Sequence, residues 1–297
     1  MKTQRAPAPQ DHPTIDQLTI LAPGLLGGSV ARAARARNAA RRIVIWARKR
    51  EVRKSLAGQP WCDEVAETPA GAVKTAGLVI IASTVDAIVP LIRQIAPALP
   101  MGAVVSDVGS VKGKIAREGH AALSPHAHFV GAHPMAGSEK TGWENGSAGL
   151  FELRTCFLTP LPETDGKAIA LVTGFWKELG AKVATVSPDE HDKIVAHISH
   201  LPQLIASSLC SFLADKNPAW LKLAGGGLRD TTRIAGSDPR LWRTILEENK
   251  VEVGRALRAY QVDLRAYESA LAKGDWETLA SLMAAGRACR ERLSDSL

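Results

Sequence analysis

The fold is decided by the stretch Leu18-Thr19-Ile20-Leu21-Ala22-Pro23-Gly24-Leu25-Leu26-Gly27-Gly28-Ser29. An apolar run rich in β-forming residues enters a glycine-dense turn, and residues 30–38 then favour a helix. Strand, glycine turn and helix in this order suit a dinucleotide, because the pyrophosphate can approach the backbone and the free N–H groups of the helix. A plain structural turn between a strand and a helix has the same pattern, so both interpretations stay open at this point.

The glycine pattern departs from the dinucleotide template G-x-G-x-x-G/A at one position. Gly24 and Gly27 fit the second and third template positions, whereas Ala22 occupies the first. Because an alanine side chain disfavours positive φ, we expect the backbone at Ala22 to keep a negative φ and the loop to be slightly altered.

Length and composition predict a soluble protein of about two domains. The chain has 297 residues, of which 45% are hydrophobic and 23% are charged, as is ordinary for globular proteins. Residues 1–13 are polar and proline-rich, which predicts a disordered tail rather than a signal peptide or membrane anchor. No apolar run reaches the length of a membrane span, so we expect no membrane partner. The four cysteines lack a C-x-x-C spacing and are interpreted as buried, reduced thiols of a cytoplasmic protein.

The net charge of +7 is concentrated in one part of the chain. The basic residues there are Arg32, Arg35, Arg37, Arg41, Arg42, Arg48, Lys49, Arg50, Arg53 and Lys54. This patch lacks interleaved aromatic residues and any nucleic-acid-binding module, so we expect no nucleic-acid partner. A basic rim around an anionic cofactor or substrate is the simpler interpretation, and a solvated face without a role is the alternative.

Alternating strand and helix patterns predict an α/β fold with a doubly wound, Rossmann-type parallel sheet over residues 14–186. Strand patterns lie at residues 42–46, 77–83, 103–106, 155–159 and 181–185, and helix patterns at 85–95 and 168–179. Ligands of such sheets bind at the carboxyl ends of the strands. Segments 107–112 and 128–134 are each predicted to follow such an end.

The end of the second strand indicates which cofactor is bound. NAD-binding folds place an Asp or Glu about 20 residues beyond the glycines, where it binds the ribose hydroxyls. Here Ala47 occupies that place and is followed by Arg48, Lys49 and Arg50. No carboxylate would repel a 2′-phosphate and three cations could bind one, so we expect NADP rather than NAD.

A second, all-helical domain is predicted for residues 187–297. Ser187, Pro188 and the acids that follow form a helix start, and a helical period then continues for about 25 residues, with a kink expected at Pro202. Further helical patterns lie at residues 239–271 and 276–293, with no clear strand. A small, apolar helical domain commonly completes its core against a second copy, so we expect a homodimer.

Several polar positions are candidates for chemistry. His133, predicted to lie in a loop, could accept a proton, or it could be a hydrogen-bonded structural histidine. Ser110 could contact a substrate hydroxyl or cap the helix that begins near residue 111. His197 and His200 share a predicted helix face but lack a further ligand at a suitable spacing, so we expect no zinc. The arginines after the glycines at 225–227 could grip carboxylates, or this segment could be a flexible linker.

Together these pieces resemble the prephenate/arogenate dehydrogenases of tyrosine biosynthesis. The resemblance runs from about Leu18 to the last helix. It is carried by five segments in order and spacing: residues 24–29, 107–112, 133–139, 199–202 and 225–233, closed by residues 237–239 and Trp242.

The resemblance implies a hydride transfer from the ring carbinol carbon to the nicotinamide, with loss of the ring carboxylate as CO2 and no need for a metal or covalent intermediate. His133 matches the family's catalytic histidine, which takes up the hydroxyl proton, and Ser110 matches the serine that orients this hydroxyl. Arg233 matches the arginine that holds a substrate carboxylate, and His200 matches a second pocket histidine. The residues matched at the pocket entrance are Glu139, Arg229, Asp230 and Trp242. The implied cofactor contacts are Gly24, Leu25, Leu26, Gly27, Ala47, Arg48, Lys49, Ser83, Thr84 and Ser110.

Three departures from the family pattern concern the loops and the substrate. Ala22 replaces a glycine, Val85 follows Thr84 where a proline is common, and Gln203 stands where some relatives carry a histidine. No acidic residue in the motifs is reserved for the ammonium of arogenate, which favours prephenate as the substrate. Arogenate remains the alternative. An NADP-dependent dehydrogenase of another small hydroxy acid and a catalytically silent NADP-binding sensor are the other readings.

Overall fold

The computed structural model describes residues 15–137 and 140–295, so the predicted tail at residues 1–13 lies outside the described residues. The described chain contains eight strands: β1 Ile15–Leu21, β2 Ala40–Trp46, β3 Glu64–Val65, β4 Leu78–Ile81, β5 Val104–Asp107, β6 His128–Pro134, β7 Thr155–Thr159 and β8 Lys182–Thr185. They form one sheet in the order β3-β2-β1-β4-β5-β6-β7-β8.

The predicted doubly wound parallel sheet is confirmed, with one exception. All neighbouring strand pairs are parallel except β6 and β7, which are antiparallel. Strands β1, β4, β5 and β6 therefore end at the same edge of the sheet. The segment 128–134, predicted to follow a strand end, is itself strand β6.

Thirteen α-helices lie in the described part of the chain. They are α1 Leu25–Ala36, α2 Arg50–Leu56, α3 Pro69–Val73, α4 Val85–Ile95, α5 Gly113–Leu123, α6 Gly166–Glu178, α7 Pro188–Val195, α8 Leu201–Ala214, α9 Ala219–Lys222, α10 Gly226–Thr232, α11 Pro239–Glu248, α12 Lys250–Lys273 and α13 Trp276–Asp295. None of these helices has the length and apolar character needed to cross a membrane.

The core forms two layers, one on each face of the sheet. Leu18 and Ile20 of β1 point into the layer that α1 covers, whereas Leu21 points into the layer that α4 covers. A side chain on Gly27 would place its Cβ 2.8 Å from the Cβ of Ala82. Only glycine therefore lets α1 pack this closely against the sheet.

The turn at Ala22 contradicts the expectation of a negative φ, since its φ is +58°. The Ala22 N–H donates to the carbonyl oxygen of Trp46 at 2.8 Å, which fixes the turn against β2. This tertiary hydrogen bond prevails over the local preference of alanine, for which a left-handed conformation costs about 1–2 kcal/mol.

The helical part begins as predicted, with the Ser187 hydroxyl accepting from the N–H of Glu190. The predicted 25-residue helix is interrupted by a π-helical turn at Ala196–His200, just before Pro202. Because Pro202 lacks an N–H, the regular hydrogen-bond ladder cannot pass this point. The pattern at residues 239–271 is likewise two helices, α11 and α12, which meet at the buried Asn249.

The predicted set of four buried cysteines is wrong. Cys156 is buried, Cys62 and Cys210 are half-buried, and Cys289 is exposed. All four are free thiols, in agreement with the absence of a disulfide spacing.

The strained turn generates a stability prediction. Ala22→Gly should raise the midpoint of thermal denaturation, because glycine adopts φ +58° without the alanine penalty. The gain should be about 0.5–1 kcal/mol, because the left-handed penalty of about 1–2 kcal/mol exceeds the flexibility cost of glycine, roughly 0.5–1 kcal/mol. The matched control is Ala121→Gly at an exposed position inside α5, which should lower the midpoint. A lower midpoint for Ala22→Gly would show that the strain at this turn is smaller than the flexibility cost of glycine.

Candidate active site

The candidate site lies where four parallel strands end at one edge of the sheet. The glycine turn follows β1, the loop with Ser83 and Thr84 follows β4, the loop with Ser110 follows β5, and His133 is near the end of β6. The structure therefore brings the predicted nucleotide-binding loops and the predicted catalytic residues to one edge, as expected for ligand sites of such sheets.

The glycine turn fits a dinucleotide pyrophosphate. Gly24 is the N-cap residue of α1, and within residues 15–137 and 140–295 no side chain caps the N–H groups there. No acidic residue lies in the first turn of α1, and a Cβ added to Gly24 would meet nothing within 4 Å. An open glycine at an uncapped helix N-terminus offers both space and N–H donors to an anion.

The end of β2 carries the residues that the sequence analysis assigned to a 2′-phosphate, and this assignment stays a prediction. Ala47 is buried, and the side chains of Arg48 and Lys49 are exposed and make no hydrogen bond or ion pair with the described residues. The Arg53 guanidinium donates to the carbonyl oxygens of Ala47 and Arg48 at 2.9 and 3.1 Å, so the backbone of this loop is held in place.

His133 lies inside β6 rather than in a loop, and it is 7% exposed. It pairs with Phe157 of β7 across an antiparallel ladder. The sequence pattern did not show that β7 runs antiparallel to β6. Burial, followed by the charges of His191 and Lys112, holds the pKa of His133 well below its usual range. The imidazole is therefore neutral and can accept a proton.

His133 contacts a second buried histidine that the sequence analysis did not single out. His133 Nδ1 lies 2.9 Å from His191 Nε2, and His191 Nδ1 lies 2.8 Å from Asp192 Oδ1. His191 and Asp192 are both buried on α7. Their signal in the sequence was weak: His191 stands one turn before the apolar Val195, on the face that packs inward.

Lys112 and Asp107 form a fully buried ion pair that joins the two ends of the β5–α5 loop. Asp107 also accepts from the N–H groups of Gly109 and Ala132, at 2.9 and 3.2 Å. The carboxylate thereby connects the loop that carries Ser110 to the strand that carries His133.

Ser110 does not cap a helix, which removes one of its two interpretations. Helix α5 begins at Gly113, its N-cap residue is Lys112, and the cap hydrogen bonds are accepted by Asp192 rather than by Ser110. Ser110 is half-buried in the loop between β5 and α5.

His200 and His197 separate in the π-helical turn instead of sharing a face. His197 is exposed and bonds the carbonyl oxygen of Lys193, whereas His200 is fully buried. His200 Nδ1 lies 3.2 Å from Asn249 Nδ2, and its buried Nε2 has no hydrogen-bond partner among the described residues. The ring meets Trp242 edge-on at 5.9 Å between centroids. Burial lowers the pKa of His200 to about 4.

Apart from Trp242, which contacts His200, the predicted pocket-entrance residues of the helical part are exposed in this chain. The glycines at 225–227 are not a flexible linker, because Gly226 starts α10, which carries Arg229 and Asp230. Arg229, Asp230 and Arg233 are exposed and make no side-chain hydrogen bond or ion pair within residues 15–137 and 140–295. Glu139 lies outside the described residues.

Fold and site define a dinucleotide-dependent dehydrogenase. Family models match nearly the whole chain: the nucleotide-binding domain of prephenate dehydrogenase matches residues 30–185, and its dimerization domain matches residues 187–285. This chain belongs to the prephenate dehydrogenase family.

Known proteins similar to this chain match most of its length. The chain is 32% identical to a cyclohexadienyl dehydrogenase of Zymomonas mobilis, over 88% of this chain and 90% of that protein. The prephenate dehydrogenase of Aquifex aeolicus, solved with hydroxyphenyl propionate and NAD+, superposes with a TM-score of 0.88 at 30% identity, over 94% of this chain and 98% of that one. An arogenate dehydrogenase of Synechocystis has a TM-score of 0.81 at 26% identity, over 93% and 99%.

The buried histidines generate a pH prediction for stability. Burial lowers the pKa of His133, His191 and His200, so below pH ~6.5 the unfolded chain binds protons that the folded protein does not. Stability is therefore full above this pH and falls as the pH drops, by about 1.4 kcal/mol per pH unit for each histidine.

Chemical denaturation at a series of pH values measures this slope. In His200→Asn, unfolding should take up about one proton fewer between pH ~4 and ~6.5, so the dependence of the unfolding free energy on pH should be less steep. An unchanged slope in that variant would contradict the assignment of a neutral, buried His200.

Proposed function

We propose that this protein oxidises prephenate to 4-hydroxyphenylpyruvate with loss of CO2 and hydride transfer to a nicotinamide nucleotide. The proposal is carried by one observation: a buried, neutral His133 lies at the same edge of the sheet as the glycine turn. The bound nicotinamide supplies the hydride acceptor. The names of the similar dehydrogenases support prephenate as the substrate class.

In this proposal His133 takes up the proton of the ring hydroxyl. Removing that proton increases the electron density on the oxygen, which favours hydride departure from the same carbon. Ser110, at the end of β5, orients the hydroxyl. Both groups lie on segments that the Asp107 carboxylate ties together, so their relative position is fixed before substrate binds.

Substrate carboxylates require donors, and the proposal assigns them to Arg233 and His200. The buried, unpartnered Nε2 of His200 supports a role in the pocket, because an unsatisfied buried nitrogen is otherwise costly. We place Trp242 beside it, and Glu139, Arg229 and Asp230 at the entrance, as the family resemblance implies.

Prephenate is favoured over arogenate by the groups around His200. The ring contacts the Asn249 amide and the Trp242 indole, and the buried Gln203 follows three residues later in the chain. The nearby Asp192 carboxylate is already bonded to two backbone N–H groups and to His191. No carboxylate among these described neighbours is thus reserved for an ammonium group.

For the cofactor, we propose a preference for NADP over NAD. The exposed Arg48 and Lys49 at the end of β2 support it, together with the absence of a carboxylate at Ala47. The remaining contacts, Leu25, Leu26, Gly27, Ser83 and Thr84, line the turns at the same edge.

We also propose that the helical domain begins at residue 187 and that the protein is a cytoplasmic homodimer. The homodimer is supported by large apolar side chains that are exposed in the helical part: Phe212, Trp220, Leu223, Trp276 and Met283.

Initial rates of reduced-nicotinamide formation test the proposal, with prephenate or arogenate paired against NAD or NADP. The expected result is fastest turnover with prephenate and NADP. Turnover with arogenate alone would select the alternative substrate. Cofactor binding without turnover in all four pairs would instead indicate a silent NADP-binding sensor.

His133→Asn should lower kcat by about 10²- to 10⁴-fold, because the variant has no group that can take up the proton. Binding of NADP, followed by fluorescence titration, should be nearly unchanged, which separates loss of the base from loss of the fold. Turnover that survives this change would contradict the assigned mechanism.

Arg48→Ala should raise the Kd for NADP by about 10- to 100-fold and leave that for NAD nearly unchanged, because a charge-assisted hydrogen bond contributes about 1.5–3 kcal/mol. The matched control is Arg41→Ala at the opposite end of β2, where the side chain is exposed and pairs with Asp16. Equal losses for both cofactors would refute the phosphate role of Arg48.

A further inference from the structure

We propose that His191 and Asp192 are positioning residues that fix the ring tautomer of His133, so that its Nε2 carries the lone pair that accepts the substrate proton. This inference rests on the proposed role of His133 as the base. It adds two residues that touch neither the reacting atoms nor the cofactor and that act through His133.

The chain of hydrogen bonds starts at the Asp192 carboxylate. Its Oδ1 accepts from the N–H of Lys112 at 2.7 Å, and its Oδ2 accepts from the N–H of Gly113 at 2.8 Å. Both donors are free N–H groups at the N-terminus of α5, which also favours a negative charge. The carboxylate is therefore held as an acceptor in a fixed orientation.

The carboxylate determines which nitrogen of His191 is protonated. A carboxylate only accepts, so His191 Nδ1, at 2.8 Å from Asp192 Oδ1, must be the donor. His191 is fully buried, and burial lowers its pKa below the usual range despite the opposing effect of Asp192. A neutral imidazole with a proton on Nδ1 has a lone pair on Nε2.

The lone pair on His191 in turn determines the tautomer of His133. His191 Nε2 lies 2.9 Å from His133 Nδ1, so His133 Nδ1 must donate. The neutral His133 ring then has no proton on Nε2, the nitrogen remote from His191. The opposite tautomer would place two lone pairs, or two protons, against each other in a buried site.

Other groups around the two rings do not compete for these nitrogens. Phe157 meets His191 edge-on at 5.4 Å between centroids and offers no polar atom. The Lys112 ammonium is paired with Asp107, and its charge disfavours protonation of both rings. His200 also disfavours a charge on His133 and is bonded to Asn249. Asp192 is thus the group that orients the chain.

The same arrangement assists the reaction after proton transfer. When His133 takes up the proton on Nε2, its Nδ1–H already points at His191, which bonds to a fixed carboxylate. The new positive charge is therefore stabilised without rearrangement. In hydrolase triads, an aspartate orients the catalytic histidine and stabilises its protonated form in the same way.

The direct test is the ¹⁵N spectrum of the histidine rings in the intact protein, with the His133 signals identified by their loss in His133→Asn. The wild-type protein should show His133 protonated on Nδ1 and not on Nε2. An Nε2–H tautomer in the wild-type protein would overturn the proposal, whether or not any variant folds.

Two substitutions at position 191 test the functional consequence. His191→Leu removes the acceptor, so His133 should no longer be held as the Nδ1–H tautomer and kcat should fall on the order of 100-fold, as for other orienting partners. His191→Gln can place an amide oxygen near the former Nε2, and it should restore both the tautomer and most of kcat. The KM for the cofactor should change little in either variant.

The outcomes are separable from those of the proposed function, because the spectrum needs no turnover. The matched control is His126→Leu, which removes a histidine bonded to the Leu99 carbonyl oxygen far from the site, and it should change neither the His133 signals nor kcat. Equal kcat losses in His191→Leu and His191→Gln, with the His133 tautomer unchanged, would show that position 191 has only a packing role.

Discussion

The arrangement of the site depends on the carboxylate of Asp192, which accepts hydrogen bonds from the two N–H groups at the start of α5. Helix α5 belongs to the sheet-containing part, whereas Asp192 belongs to the first helix of the helical part. Asp192 also accepts an Asn249 N–H at its backbone oxygen, at 2.8 Å. Asp192 therefore connects the nucleotide-binding sheet, the histidine pair and the start of the long helix α12.

The buried ion pair of Lys112 and Asp107 contributes to the geometry of the site rather than to the stability of the fold. Removing two charges from water is costly, and an apolar replacement of such pairs is often as stable. Asp107, however, also accepts two backbone N–H groups, one from the Ser110 loop and one from β6. The pair therefore specifies how this loop meets the strand that carries His133. Burial is the main cause of the lowered pKa of His133 and His191, and the positive charge of Lys112 lowers both further.

The sequence predicts the parts of this structure that depend on local periodicity and turn chemistry. The helix start at Ser187, the α4 helix and the glycine turn are local, and His133 and His200 stood out through the family motifs. The φ of Ala22 and the reversal of β7 depend instead on hydrogen bonds to distant strands. His191 acquires its role only through its contact with His133, which is 58 residues away in the chain. Asn249 acquires its role only through its bond to Asp192, 57 residues away. No local pattern marks such contacts.

A base with a pKa far below neutrality is a weak proton acceptor, and the efficiency of a general base is greatest when its pKa lies near the working pH. Burial and nearby positive charge produce the low pKa of His133 in the protein alone. The substrate proposed here brings carboxylates into this dry site, and an opposite charge favours the protonated imidazole. The pKa of His133 should then rise as substrate binds. The fixed chain to Asp192 supports that protonated form, and the loss of CO2 prevents the reaction from reversing.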